Sequence, residues 1–333
     1  MIQYRNKIFK ESCILLLFLL FIYLFLFSEN IKDSIVEIVP TDLFNVNTIF
    51  LSIVLEAIPF ILIGVIASSI IQSFVTEKML QKILPKHAFL AMLPAMLVGA
   101  IFPVCECAII PIVRRLIKKG LPNHIGIVFM LTVPILNPIV FIATYFAFQN
   151  NSYLLYGRMG LACAVAFIVG SFVYVFFKNK DILKISLPIE GSHFSNLERN
   201  RFSKILKHAG DEFFDTGKYL LIGALCASLF QTFLDRNLLV SIGTNEVTAP
   251  TVMMGFAYVL SLCSEADAFV AASFNNTFTI GSLLAFLVMG PMLDIKNTIM
   301  LCAYFRVKFV VPFILVTCVS IYFLSRLFEW IFF

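Results

Sequence analysis

"FILIGVIASSIIQSF", residues 60–74, returns 159 residues later as "YLLIGALCASLFQTF", residues 219–233, with Leu, Ile, Gly, Ser, Gln and Phe at matching positions. Self-similarity at a fixed offset points to one structural unit used twice. The same offset sets Glu56 against Asp215, Glu106 against Glu265, Met130 against Met289 and Tyr145-Phe146 against Tyr304-Phe305, while "PILN" (134–137) meets "PMLD" (291–294) after a two-residue slip. Each copy reads as a helix, an interrupted apolar segment, a proline-containing helix and a last helix: 48–75, 88–113, 125–148 and 153–177, then 214–234, 250–274, 279–303 and 309–331.

The surrounding composition says where such a unit lives. Of 333 residues, 60% are hydrophobic, only 14% are charged, and 37 are Phe, which no ordinary water-exposed domain of this size shows. Apolar runs of spanning length recur from residue 13 to 331, leaving no room for a large soluble domain. The first, "CILLLFLLFIYLFLF" (13–27), follows Arg5, Lys7 and Lys10 and has no A-x-A cleavage site after it, so it reads as an uncleaved first span. The net charge of +5 comes from Lys and Arg in short loops, which is topology rather than a nucleic-acid surface. The eight cysteines have no disulfide-scaffold spacing; Cys13, Cys163, Cys226, Cys302 and Cys318 read as small core side chains. The four histidines, His87, His124, His193 and His208, read as solvated, and Asp215 and Lys218 as an i, i+3 pair.

Charge decides direction. If every run crosses and the N-terminus is inside, about 10 Lys/Arg fall inside against 13 outside, against the positive-inside rule. If 88–113 and 250–274 instead enter and turn back, the tally becomes 19 inside against 4 outside (Lys32, Arg158, Arg236, Arg326), with Lys218 and Lys296 uncounted within helices. The expected fold is therefore an all-α integral membrane protein, an inverted repeat with seven full spans and two re-entrant hairpins, N-terminus cytoplasmic and C-terminus outside; nine ordinary spans are the alternative. The domains follow: 1–47 an N-terminal span and external loop, 48–178 the first repeat, 179–212 a basic cytoplasmic linker, 213–333 the second repeat.

Both interrupted segments carry an acid near their middle, Glu106 in "FPVCECAII" (102–110) and Glu265 in "SLCSEADAF" (261–269), with Asp267 beside the second. A carboxylate at bilayer depth costs roughly 2.5–3.5 kcal/mol, so these three are candidates for a proton or ion relay. Cys105 and Cys107 are two apart, about 200° on a helix but on one side of an extended segment, and Pro103 favours the break that extension needs. Two thiols side by side suit a thiophilic species; Cys105 and Cys107 are the candidate ligands for a soft metal, with Cys263, Glu265, Asp267 or His124 to complete the set. Pro134 and Pro138 flank Asn137, and Pro291 precedes Asp294; broken helices of this kind expose termini that hold ions or polar groups, so Pro134, Asn137 and Asp294 join the candidate substrate site.

The stretch "FPVCECAIIPIVRRLIKKGLPNHIGIVFMLTVPILNPIVFIATYFAF" resembles the signature half of the predicted-permease family that includes the organoarsenical-exporting ArsP permeases, with a related branch of copper/zinc efflux transporters. The resemblance covers roughly 45–325, carried by the C-x-C, the Arg-Leu after it, Gly120-Leu121-Pro122 and Pro-x-x-Asn-Pro. It implies a cell-membrane permease exporting a thiophilic small solute, such as a trivalent organoarsenical or a soft metal ion, with Cys105 and Cys107 handling the cargo. The long His-rich or Cys-rich stretches expected of a metal-exporting branch are missing, as is a P-loop, so movement would draw on an ion gradient or a partner protein. No cofactor is expected, and the partners are the small-molecule or metal-ion substrate, membrane lipid and a membrane or secreted protein. Two other classes stay open: a membrane thiol-redox protein using the cysteine pair, and a scaffold subunit of a membrane complex.

Overall fold

The computed structural model describes residues 41–74, 89–101, 104–149, 151–178, 180–184, 201–233 and 247–333. The expected first span (13–27), Cys13, Lys32, Phe102, Pro103, Arg236, His87 and His193 lie outside the described residues. The chain divides into two compact units, 1–48 and 49–333. Of the first, only the opening turns of helix α1 are described.

Apart from one isolated β-bridge, the described structure is helical: α1 Thr41–Phe74, α2 Met92–Ile101, α3 Glu106–Lys118, α4 Asn123–Leu136, α5 Pro138–Ala147, α6 Ser152–Phe177, α7 Arg201–Phe233, α8 Ala249–Leu260, α9 Ala266–Ser273, α10 Ile280–Met292, α11 Ile295–Tyr304 and α12 Val307–Phe332. Among the described residues five stretches are long and apolar enough to cross a bilayer, namely Asp42–Ile66, Ser152–Phe177, Phe213–Phe233, Ile280–Tyr304 and Val307–Phe332; the α4–α5 pair, bent by 42°, makes a sixth if it is a single span. These coincide with the six spans expected after the first.

Prolines and caps explain the bends. Pro134 lies inside α4, where it removes a hydrogen bond to the preceding turn; Pro138 then opens α5 at a position that needs no donor, and the Asn137 side chain accepts from the Ile139 N–H at 2.9 Å. At the corresponding place Pro291 lies inside α10, and the Asp294 carboxylate caps α11 through the Asn297 N–H at 2.6 Å. The two interrupted segments are each two helices: α2 ends at Ile101 and α3 opens at Glu106 after the non-helical Val104 and Cys105, and α8 and α9 lie on either side of 261–265. None of these four helices, the longest of 13 residues, reaches the ~20 residues a crossing needs.

Burial separates centre from rim. The Ile280–Tyr304 window is 89% buried within the protein, against 28–39% for the other four. Those outer helices turn Leu55, Leu62, Phe230, Leu315 and Phe323 outward, an apolar belt suited to lipid. α4 packs on α2, α3 and α6, and α10 on α8, α9 and α12; α4 meets α10 and α6 meets α12, while α3 lies on α11 and α5 on α9. The 180–184 segment pairs with the turn after α11: Leu183 bridges Phe305, the Lys184 N–H donates to the Tyr304 carbonyl at 2.9 Å, and Arg306 pairs with Asp181 at 2.9 Å. α7 begins at Arg201, so the end of the 179–212 segment is helical.

Three residues sit differently from their reading in the sequence. Arg158, counted with the outside loops, is on α6 and fully buried. His124, read as solvated, is 5% exposed with its ring edge-on to Tyr174 at 4.9 Å. Arg326, also counted with the outer loops, is on α12 and pairs with Glu329 at 3.0 Å.

The glycines matched by the repeat, Gly64 and Gly223, both admit close helix approach: a Cβ on Gly64 would collide with Ala108 of α3, and one on Gly223 would lie 2.9 Å from the Lys296 Cα of α11. Gly64→Ala and Gly223→Ala are expected to cost about 1–3 kcal/mol each through overpacking. Gly160→Ala and Gly255→Ala, where no atom lies within 4 Å, should cost nothing. Melting temperatures of the four variants in detergent check this contrast.

Candidate functional site

The first break ends in an extended residue, Cys105 (φ −75°, ψ 168°), which precedes the first turn of α3. That geometry turns the two thiols toward each other: Cys105 and Cys107 share a side-chain hydrogen bond and are 8% and 4% exposed. The described cysteines, these two included, are free thiols. Between them Glu106 opens α3, 2% exposed, with its Oε2 lacking any hydrogen bond.

A lysine faces this carboxylate. Lys296, in the first turn of α11, is 4% exposed; its Nζ is 4.0 Å from Glu106 Oε1 and 3.5 Å from Asp294 Oδ2. It also stands within electrostatic range of Cys105, Cys107 and Cys263. Cys263, half-buried in the second break, donates its S–H to Glu56 of α1. The α8 end of that break is held by Ser261, the one non-glycine residue with positive φ (46°) among the described residues. Its hydroxyl donates to the Tyr258 carbonyl at 3.3 Å and accepts from the Ile295 N–H at 3.2 Å, fastening the end of α8 to the start of α11. Left-handed backbone is uncommon for serine, and the two hydrogen bonds offset its strain.

Eight residues along both helices a second contact repeats: Arg114 of α3 stacks its guanidinium 4.4 Å from the centre of the Tyr304 ring of α11. With Glu106 facing Lys296 at the other end, α3 and α11 run side by side in the same direction, about 12 Å between the two contacts. Asp215 of α7 completes this end, 3.8 Å from Arg114 and 2.6 Å from Lys218, as the i, i+3 spacing predicted; the Tyr304 and Thr216 hydroxyls are 3.0 Å apart.

The second break is pinned by a different cation. Arg158 of α6, 0% exposed, donates to both carboxylate oxygens of Asp267 at 2.9 Å, to the Ser264 carbonyl at 3.1 Å and to the Thr144 hydroxyl at 2.7 Å. Glu265 caps the start of α9, half-buried beside Asp267. The acids of both breaks thus stand at helix N-termini, where the unpaired amides and the helix dipole favour negative charge.

Among the expected site residues, then, Cys105, Glu106, Cys107, Cys263 and Asp294 gather around Lys296, whereas Asp267 belongs to the Arg158 pin and Pro134 and Asn137 form the α4–α5 bend. Among the described residues no group of three or more His, Cys, Asp or Glu side chains is arranged to hold a metal ion. The sequence reading passed over the two cations that organise everything else. Their signal was present: a Lys and an Arg within apolar segments of spanning length, with carboxylates available elsewhere in the same kind of segment.

Removing one member of a buried ion pair strands the other. Arg158→Met is expected to destabilise the protein by about 3–5 kcal/mol, and Arg158→Met combined with Asp267→Leu by distinctly less. Detergent melting temperatures of the single and double variants, read as a double-mutant cycle, test this.

The sequence has known relatives. Residues 42–330 match the family model ArsP_1, described as "Predicted permease". The chain is 51% identical over 280 residues to "UPF0718 protein YcgR" of Bacillus subtilis (strain 168), covering 83% of this chain and 94% of that protein. It is 42% identical over 279 residues to a Streptococcus mutans serotype c (strain ATCC 700610 / UA159) protein described as "Putative two-component membrane permease complex subunit", covering 83% and 92%. No solved structure matches. With its spanning apolar helices and a match over most of its length, the chain belongs to the predicted-permease family and is a multi-pass membrane protein.

Proposed function

We propose that the protein is the solute-conducting subunit of a two-component permease that exports a thiophilic small solute, with the Cys105–Cys107 pair as the cargo site. The observation that carries this is the pair itself: two thiols turned toward each other in a break inside an apolar protein, with an acid and a lysine in reach. Trivalent arsenic or a soft metal ion takes two such sulfurs; Cys263 is a further soft donor acting on the same Lys296. The relative described as a complex subunit supports the need for a partner, which would supply gating or drive. A thiol-exchange role asks for sulfurs that a partner's disulfide can reach, and these are 8% and 4% exposed.

The route is the seam between two inverted halves, 48–178 and 213–333. Supporting the repeat, α1 to α6 and α7 to α12 follow the same order of long helix, broken pair, proline-interrupted pair and long helix, with Pro134 and Pro291 and the caps Asn137 and Asp294 at matching places, although only the α4–α5 pair is sharply bent. Supporting the re-entrant reading, the broken pairs are made of helices too short to cross. In this scheme the N-terminus is cytoplasmic, and Glu106 and Glu265, each opening the helix after its break, pass protons as the seam opens to alternate sides. Asp267, committed to Arg158, holds the second break in shape instead.

In membrane vesicles containing both subunits, a trivalent organoarsenical is expected to move with an imposed pH gradient. Cys105→Ser with Cys107→Ser should abolish the flux, and Glu106→Gln should slow it by about a hundredfold. Undiminished flux in the cysteine variant removes the thiols from the mechanism. Undiminished flux in both Glu106→Gln and Glu265→Gln removes the relay.

A further inference from the structure

Lys296 does not behave like the other buried cation. Charge-assisted N–H···O hydrogen bonds close to about 2.7–2.9 Å, and Arg158 meets Asp267 at 2.9 Å on both oxygens. The Lys296 ammonium stays 4.0 Å from Glu106 and 3.5 Å from Asp294, longer than a charge-assisted hydrogen bond to either. One oxygen of each acid, Glu106 Oε2 and Asp294 Oδ2, is buried without a hydrogen-bond partner. Two carboxylates share one ammonium where charge is costly to bury, Asp294 and Lys296 within the most buried of the described spans and Glu106 on the helix beside it. An arrangement selected only to neutralise Glu106 would close the distance. What stands here instead is a pair of acids on facing helices with a cation loosely held between them.

We propose that Glu106 and Asp294 form a binding site for a small monovalent cation or primary ammonium group, and that the Lys296 ammonium is its tethered resident. The carboxylates come from two helices, α3 and α11, packed side by side, so a cation between them also ties the helices together. Around it stand Cys105 and Cys107 from the first break and Cys263, itself bonded to Glu56, from the second. The tether keeps free inorganic cations out at rest and sets the charge of what can replace it: a ligand at this site is positively charged. This deepens the transport reading by assigning the cargo or its coupling ion a charge, yet its test needs no cargo, so the two can fail separately.

Chemical rescue supplies that test. Lys296→Ala removes the atoms of n-propylammonium while keeping both carboxylates. The purified variant is melted in propylammonium chloride, in sodium chloride of equal ionic strength, and in sodium chloride with n-propanol, a neutral molecule of the same shape. Propylammonium is expected to raise the melting temperature by about 2–4 °C over sodium chloride, with no such rise for propanol, for the wild type, or for Lys296→Ala with Glu106→Gln. An equal rise with propanol, an equal rise in the wild type, or no rise overturns the proposal. If the variant cannot be recovered folded in sodium chloride, recovery in propylammonium supports the proposal, and failure in every salt overturns it.

Discussion

Buried charge that must be answered from elsewhere in the chain is the constraint on which this structure depends. Each interrupted segment ends in an acid that opens a short helix, and each acid cluster meets a cation delivered by a distant part of the sequence: Lys296 of α11 to Glu106, Arg158 of α6 to Asp267. The exchange is crosswise, and so is the packing, with α3 on α11 and α5 on α9. Neither break can be neutral within its own segment. Packing of apolar side chains cannot replace this, because lipid offers Leu and Phe the same contacts that another helix does.

Helix ends do the rest. Half-length helices whose N-termini point inward put partial positive charge where the acids lie, so the cost of burying Glu106, Asp267 and Asp294 is shared between backbone and side chains. Proline creates these ends, and Asn137 and Asp294 cap two of them. The breaks are therefore built features of the chain, with their polar groups engaged by the protein rather than left to lipid.

Much of this was legible in the sequence. The bend at Pro134–Asn137–Pro138, the spans other than the first, and the Asp215–Lys218 pair follow from spacing alone, since they depend on neighbours within a few residues. The expected extended segment is only partly there: Cys105 is extended, while Cys107 lies in the first turn of α3. What eluded sequence reasoning was long-range. Nothing near Arg158 in the chain marks it as Asp267's partner 109 residues away, and the charge tally counted it outside although it lies near the start of the expected helix 153–177. Lys296 was visible as a charge within a span, but its approach to Glu106 depends on how α3 lies against α11, which periodicity does not encode.

The short bridge between Leu183 and Phe305 has a mechanical consequence. The strip that leaves α6 is bonded to the last carbonyl of α11, and through Arg306 to the first residue before α12. A displacement of α11 along its axis would therefore pull on residues 180–184. Any travel of the helix carrying the central lysine would have to break or carry along these backbone bonds.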